Sequence, residues 1–316
     1  MTQLGWLFCL AAVTAVPAVS LDDNPSDGKL TVALDGREAF TYQYGSQFAI
    51  PHFWPVRSPA GQLLTTQHPE PYPHHRSIWI ADRVRGAQGP AVDFYHCWKN
   101  YRQPDNPAAG YRHFIRHVRF GKVEVDGGQA IVTAELQWIV NDDVPILDET
   151  RTWHTLSLGQ GEYLVDLQWE LKANHGDVRF LSDDVHYAWP FVRMHPQFSA
   201  EHGGVITNDR GKRGQAETHG QAAKWIDFSG TVGETTEGLA VLLPSDDGPR
   251  TWLTRDYGTF GPRRDVAHSG KEFVLASGAS LRGRAAILVH RGNVESGQVA
   301  KRYQQYLQFI DESSHP

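Results

Sequence analysis

Sulfur is scarce in this chain: 316 residues carry 2 Cys and 2 Met. Cys9 lies in an apolar run at the start of the chain. Removing that run would leave Cys97 alone, which excludes an intrachain disulfide even in an oxidising compartment. Positive charge is not in excess. Lys plus Arg number 30 against 36 Asp plus Glu, a formal net charge of -6, so nothing is set aside to hold a polyphosphate and nucleic acid is excluded as a first partner. No second long apolar run follows the first, so stable membrane insertion of the mature protein is not expected. Neither the dinucleotide nor the P-loop glycine fingerprint occurs, and HExxH and paired CxxC motifs are also missing.

What the chain does have is rings. With 10 Trp, 11 Tyr, 14 Phe and 16 His in a 40% hydrophobic sequence, it can build a large core and keep aromatic faces for flat apolar ligands and imidazoles for proton transfer. Residues 1–20 read as a secretory signal, apolar from Leu4 to Val19 and turning polar at Asp22 and Asp23. Residues 21–316 are then one exported domain, periplasmic or secreted. No small-residue lipobox precedes Cys9, which belongs to the apolar run.

The pattern beyond is all-β. Val123 and Val125 alternate with Lys122, Glu124 and Asp126; after Gly127-Gly128, Ala130, Val132, Ala134, Leu136 and Trp138 alternate with polar residues, which predicts a hairpin with one buried face. A second hairpin is expected from Thr150 to Leu158 and from Tyr163 to Leu171. Further runs at 224–228, 239–243, 273–276 and 285–290 read as strands, and Trp225 to Gly230 as a strand ending in a turn. One helix is expected, with Val299, Tyr303, Tyr306 and Ile310 on one face. Many closely spaced strands without alternating helices predict a large antiparallel sandwich with a C-terminal helix.

Residues 52–103 break this regularity with Pro, His and aromatics, and long irregular segments in ordered domains usually serve function. Pro69, Pro71 and Pro73 fix an extended path into His74, His75 and Arg76, with Asp93 and His96 following. A rigid loop covering a sheet is the plain alternative. Farther on, His186 and Tyr187 precede Arg193, and Arg255 and Tyr257 follow Trp252. These are pocket candidates where the sheet face is the binding face, and ordinary strand residues otherwise. A cation beside an aromatic suits an acidic sugar.

Pro73-His74-His75-Arg76, then Val92-Asp93-Phe94, then residues 204–208 (GVITN), 220–230 (GQAAKWIDFSG) and 252–261 (WLTRDYGTFG), resemble in that order the DUF6807 family, whose members often carry the label PmoA or methane oxygenase PmoA. Two departures stand out: Ser77 where Gly commonly follows His-His-Arg, and residues 188–193 where a glycine-rich stretch ending in Arg is usual. The resemblance spans nearly all of the mature chain and implies a supersandwich like that of galactose mutarotase and several polysaccharide lyases. One removable apolar run and a β body do not suit a membrane oxygenase. Relatives in glycan-degrading bacteria imply instead a secreted protein acting on sugars.

The residues then suggest roles. Elimination from a glycan needs a base, a cation for the enolate and an acid for the leaving oxygen. His74, His75, Asp93, His96 and His186 are the acid/base candidates. Arg76 or Arg255 would hold charge, Tyr187 or Tyr257 would donate a proton, and Arg193, Trp252, Arg255 and Tyr257 would bind substrate. Hydrolysis would more often use two carboxylates. The function expected is therefore a carbohydrate-active enzyme, a polysaccharide lyase or glycoside hydrolase, with a noncatalytic glycan-binding protein as the alternative. No cofactor is required. A metal-dependent sugar-modifying enzyme, with a divalent ion among His68, His74, His75, His96 and Asp93, is a further alternative, and the spacing leaves the metal unknown. Oligomeric state is not encoded in any feature of the sequence.

Overall fold

Strict alternation over residues 129–172 places apolar side chains on one face of each strand, and that face needs a second sheet to cover it. The computed structural model describes residues 18–97, 111–181, 188–245, 250–264 and 272–313. Nearly every element is antiparallel strand. The first sheet has nine strands in the order β1 (Val19–Asn24), β2 (Lys29–Leu34), β3 (Arg37–Gln43), β4 (His52–Val56), β5 (Ile78–Trp79), β13 (Phe191–Arg193), β19 (Thr259–Pro262), β18 (Arg250–Thr254) and β15 (Ala222–Ala223). The second has eight: β14 (Val205–Asn208), β16 (Trp225–Val232), β17 (Thr235–Leu242), β21 (Ser280–Arg291), β11 (Glu162–Lys172), β10 (Val144–Gly159), β9 (Gln129–Val140) and β8 (Phe114–Asp126). A small sheet of four adds β20 (Phe273–Leu275), β12 (Val178–Phe180), β6 (Arg83–Arg85) and β7 (Ala91–Asp93).

The two large sheets form the expected sandwich. Phe40, Phe53, Val56 and Ile78 of the first face Tyr163, Val165, Leu167 and Ile287 of the second, within one continuous apolar core. The Arg151 guanidinium pairs with buried Glu149, which also accepts from the Trp138 indole at 2.8 Å, and reaches across to the Pro51 carbonyl at 3.1 Å. The C-terminal helix, α2 (Val299–Ser313), buries the four residues expected of it, against Leu164, Trp225, Leu242 and Leu288 on the outer face of the second sheet. No helix among the described residues is long and apolar enough to cross a membrane.

Three local expectations are corrected. Val123 and Val125 are 46% and 47% exposed, because β8 is the edge strand of its sheet and both faces of its last six residues are exposed. The strand beginning at Trp225 continues past Gly230 to Val232. A short helix, α1 (Gly214–Thr218), was not anticipated; it makes barely more than one turn and so carries little periodic signal.

Candidate functional site

Alternation along the central strands of the nine-stranded sheet decides which side chains meet on its outer face. Ile78 faces the second sheet, so Trp79 faces away from it. Phe191 pairs with Trp79 and stacks on it at 5.0 Å; Arg193, two residues on, shares that face, as does its own partner Thr259.

The proline-rich loop packs against this floor. A bridge between Gln67 and Arg76 closes its base, the His68 amide donates to the His75 carbonyl, and turns at Tyr72 and His75 fold it. Arg76 is buried, and its guanidinium donates to the His74 and Cys97 carbonyls. It staples two loops together, so the expectation that Arg76 holds substrate charge is corrected. The following residue, Ser77, has φ +75°, in the left-handed region where glycine is at ease. The second loop leaves β7, where the Phe94 amide donates to the Asp82 carbonyl and turns Asp93, Tyr95 and His96 toward the first loop.

A file of contacting rings results. His96 lies 4.5 Å from His74, His74 6.2 Å from Tyr72, and Tyr72 stacks on Tyr257 at 5.0 Å. His75 lies under the file, 4.6 Å from His74 and 5.0 Å from Tyr72, with Nε2 2.9 Å from the Tyr95 hydroxyl and Nδ1 3.5 Å from that of Thr259. It is 1% exposed, and burial first, with nearby His74 and Arg193 adding to it, drives its pKa down to about 2. A neutral, enclosed imidazole of that kind is a poor general base. His96 differs. Its Nδ1 sits 2.7 Å from the Asp93 carboxylate in a half-exposed pair, which assigns the proton to Nδ1 and the lone pair to Nε2.

At the other end of the file the Arg193 guanidinium lies over the Tyr257 ring, 4.7 Å from its centre, and donates to the Tyr257 carbonyl. Gly258 (φ +101°) allows this approach, since a Cβ there would fall 3.1 Å from Met194 Cβ. Arg193 is nearly enclosed, and burial lowers its pKa; it positions the Tyr257 ring. Burial, reinforced by Tyr72, raises the pKa of the Tyr257 phenol, while Arg255 and Arg193 oppose the shift. Arg255 is half-exposed at this end.

Of the expected site residues, His74, His75, Asp93, His96, Arg193 and Tyr257 are therefore brought together, with Arg255 close by. Trp252 is corrected: it is 0% exposed, and its indole donates to the Ala223 carbonyl in the core. His186 and Tyr187 lie outside the described residues. His68 belongs to a different pair, bonded to the Pro73 carbonyl at 2.6 Å and edge-on to His52. Among the described residues no three His, Cys, Asp or Glu are arranged to hold a metal ion. Sequence reasoning passed over Tyr72, Tyr95 and Trp79. Their one signal was position, each within four residues of a singled-out histidine.

No curated protein matches the chain. A protein-family profile does, over residues 29–304, from the second strand into the last helix, and it takes in every residue of the ring cluster. The chain belongs to DUF6807, a family of unknown function.

Proposed function

We propose that this protein is an exported carbohydrate-active enzyme that cleaves glycans by β-elimination. The observation that carries the reading is the half-exposed Asp93–His96 pair at one end of a ring file whose other end is the Tyr257 phenol with Arg255 beside it. His96 Nε2 removes the proton next to a carboxylate or ketone, with Asp93 stabilising the imidazolium. The imidazolium then passes that proton to the departing oxygen on the adjacent carbon, while Arg255 and Tyr257, at the other end of the file, hold the adjoining sugar. Hydrolysis fits less well. It calls on two carboxylates across the bond, whereas Asp93 is already engaged with His96.

The test is a screen of acidic and neutral glycans for ultraviolet-absorbing unsaturated ends alongside reducing ends. Wild-type protein should produce both. His96→Ala and Asp93→Asn should lower turnover by about a hundredfold or more with little change in melting temperature, because both side chains are partly exposed and asparagine keeps an oxygen for the His96 amide. His75→Ala should instead lower the melting temperature, because it removes an enclosed ring from its packing against Tyr72 and Trp79 together with the bond to the Tyr95 hydroxyl. Reducing ends without unsaturation would replace elimination by hydrolysis. Binding without any product would leave a glycan-binding protein.

Export is part of the proposal, with the mature chain beginning at or before Val19 rather than at Leu21. Val19 is buried, pairs with Leu34, and donates its amide to the Gly127 carbonyl at 2.9 Å. Cleavage after Ser20 would cut two residues into β1, so N-terminal sequencing of exported protein should find Val19 retained. Intact Met1 on soluble protein from the native host would refute export.

A further inference from the structure

A second cleft opens away from the ring file, between the connection that follows β3 and the start of β8, with a volume of about 350 Å³. That is within the usual range for small-ligand sites. Four aromatic residues line it, Tyr44, Phe48, Tyr111 and Phe114. Three of them, Tyr44, Phe48 and Phe114, are only half-buried although all the strands that carry or flank them have core faces to fill. The rings are held in place. Tyr44 is braced by His117 at 4.5 Å and Phe120 at 5.1 Å, and its hydroxyl donates to Asp23 at 2.6 Å. Phe48 stands edge-on to His52 at 5.4 Å. Around these rings the rim is polar and of both signs, with Ser46, Arg116 and Asp142.

We propose that this cleft is a separate binding site for neutral pyranose rings, which stack an apolar face on the aromatics and hydrogen-bond their hydroxyls to the rim. The lining selects this class. Arg116 bonds Gln137 at 2.6 Å and Asp142 pairs with Arg112 at 3.5 Å, yet both groups keep further hydrogen-bonding capacity; a purely apolar ligand would strip water from this rim and offer it nothing, and a permanent cation, although suited to the rings, would meet Arg116. A sugar presents an apolar face and hydroxyls that both donate and accept, which matches Arg116 as donor, Asp142 as acceptor and Ser46 as either. The cleft shares no residue with the proposed catalytic groups, and only the choice of sugars as probes rests on the reading above.

The experiment is calorimetric titration of the full mature chain with cellohexaose, xylohexaose, mannohexaose and chitohexaose. At least one should bind at millimolar concentration or better. Phe48→Ala and Phe114→Ala should weaken it about tenfold or more, Arg116→Ala several-fold, and Lys301→Ala, exposed on α2 and outside the cleft, less than twofold. Arg116 is exposed, so its variant stays informative where a ring deletion unfolds the protein, which thermal melts will reveal. Failure of all four sugars to bind, full affinity in both Phe114→Ala and Arg116→Ala, or binding of tetramethylammonium instead of sugar would each overturn the proposal. Sugar binding lost in these variants, without product from any glycan, would sustain the cleft and refute the elimination chemistry.

Discussion

Ser77 shows how much a single residue can store. Its φ of +75° is a conformation that costs a side-chain-bearing residue about 1–3 kcal/mol, and its hydroxyl offsets part of this by bonding to Thr65 at 2.7 Å. Ser77→Gly should relieve the strain and lose the bond, leaving stability near that of wild type, whereas Ser77→Ala keeps the strain and loses the bond. The two variants should differ by about 1 kcal/mol in urea unfolding, with glycine the more stable; equal stability would show that the backbone is not strained there. Residue identities were legible in the sequence at this site, but roles were not. The same run of letters, His74-His75-Arg76, contains a half-exposed ring, an enclosed neutral ring and a backbone staple. Only burial separates them, and burial here depends on strands far along the chain.

Among elements, period two gave both hairpins and period three to four gave α2, because each buries one continuous face over many residues. The strands beneath the ring file escaped notice for the opposite reason. β5 has two residues and β13 three, too few to show any period, and all but Arg193 are apolar whichever face they take. Alternation also reports amphipathicity without saying whether a partner exists, which is why β8 looked like β9. The difference can be measured. Val125→Thr on the exposed face of β8 should change stability by less than about 0.5 kcal/mol, while Val132→Thr, fully buried in β9, should cost about 1–3 kcal/mol by enclosing a hydroxyl. Equal costs would mean that β8 is covered in solution.

At the level of the whole molecule, buried histidines set the response to acid. Burial is the leading cause of the lowered pKa values of His52, His68 and His75, which fall to about 3, 4 and 2. In the unfolded chain each takes up a proton near pH 6.5. Between about pH 6.5 and 4 the unfolded state therefore binds more protons, and the stability these residues contribute above 6.5 is lost as pH falls, by up to about 1.4 kcal/mol per pH unit for each. His290 runs the other way. Burial disfavours its charge, but Asp227 at 2.7 Å outweighs this and raises its pKa, so its contribution is present below about 6.5 and fades as pH rises through the raised value. Burial also lowers His113, His117, His154, His195 and His219, so the lowered histidines outweigh the one raised and the free energy of unfolding should fall between pH 7 and 4.5; a flat profile in urea titrations would contradict the neutral, enclosed state of these rings.

The order of the second sheet has a consequence for how the protein is made. β21 lies between β11 and β17, pairing with both, yet it is the last strand in chain order among the described residues. Until residues 280–291 leave the ribosome, the strands made earlier, β8 to β11 on one side and β14, β16 and β17 on the other, have no ladder to join them. A nascent chain of this topology cannot complete its fold while it is being synthesised. A strand in the middle of the finished sheet is thus the last to be supplied, and the joining of the two halves waits on it.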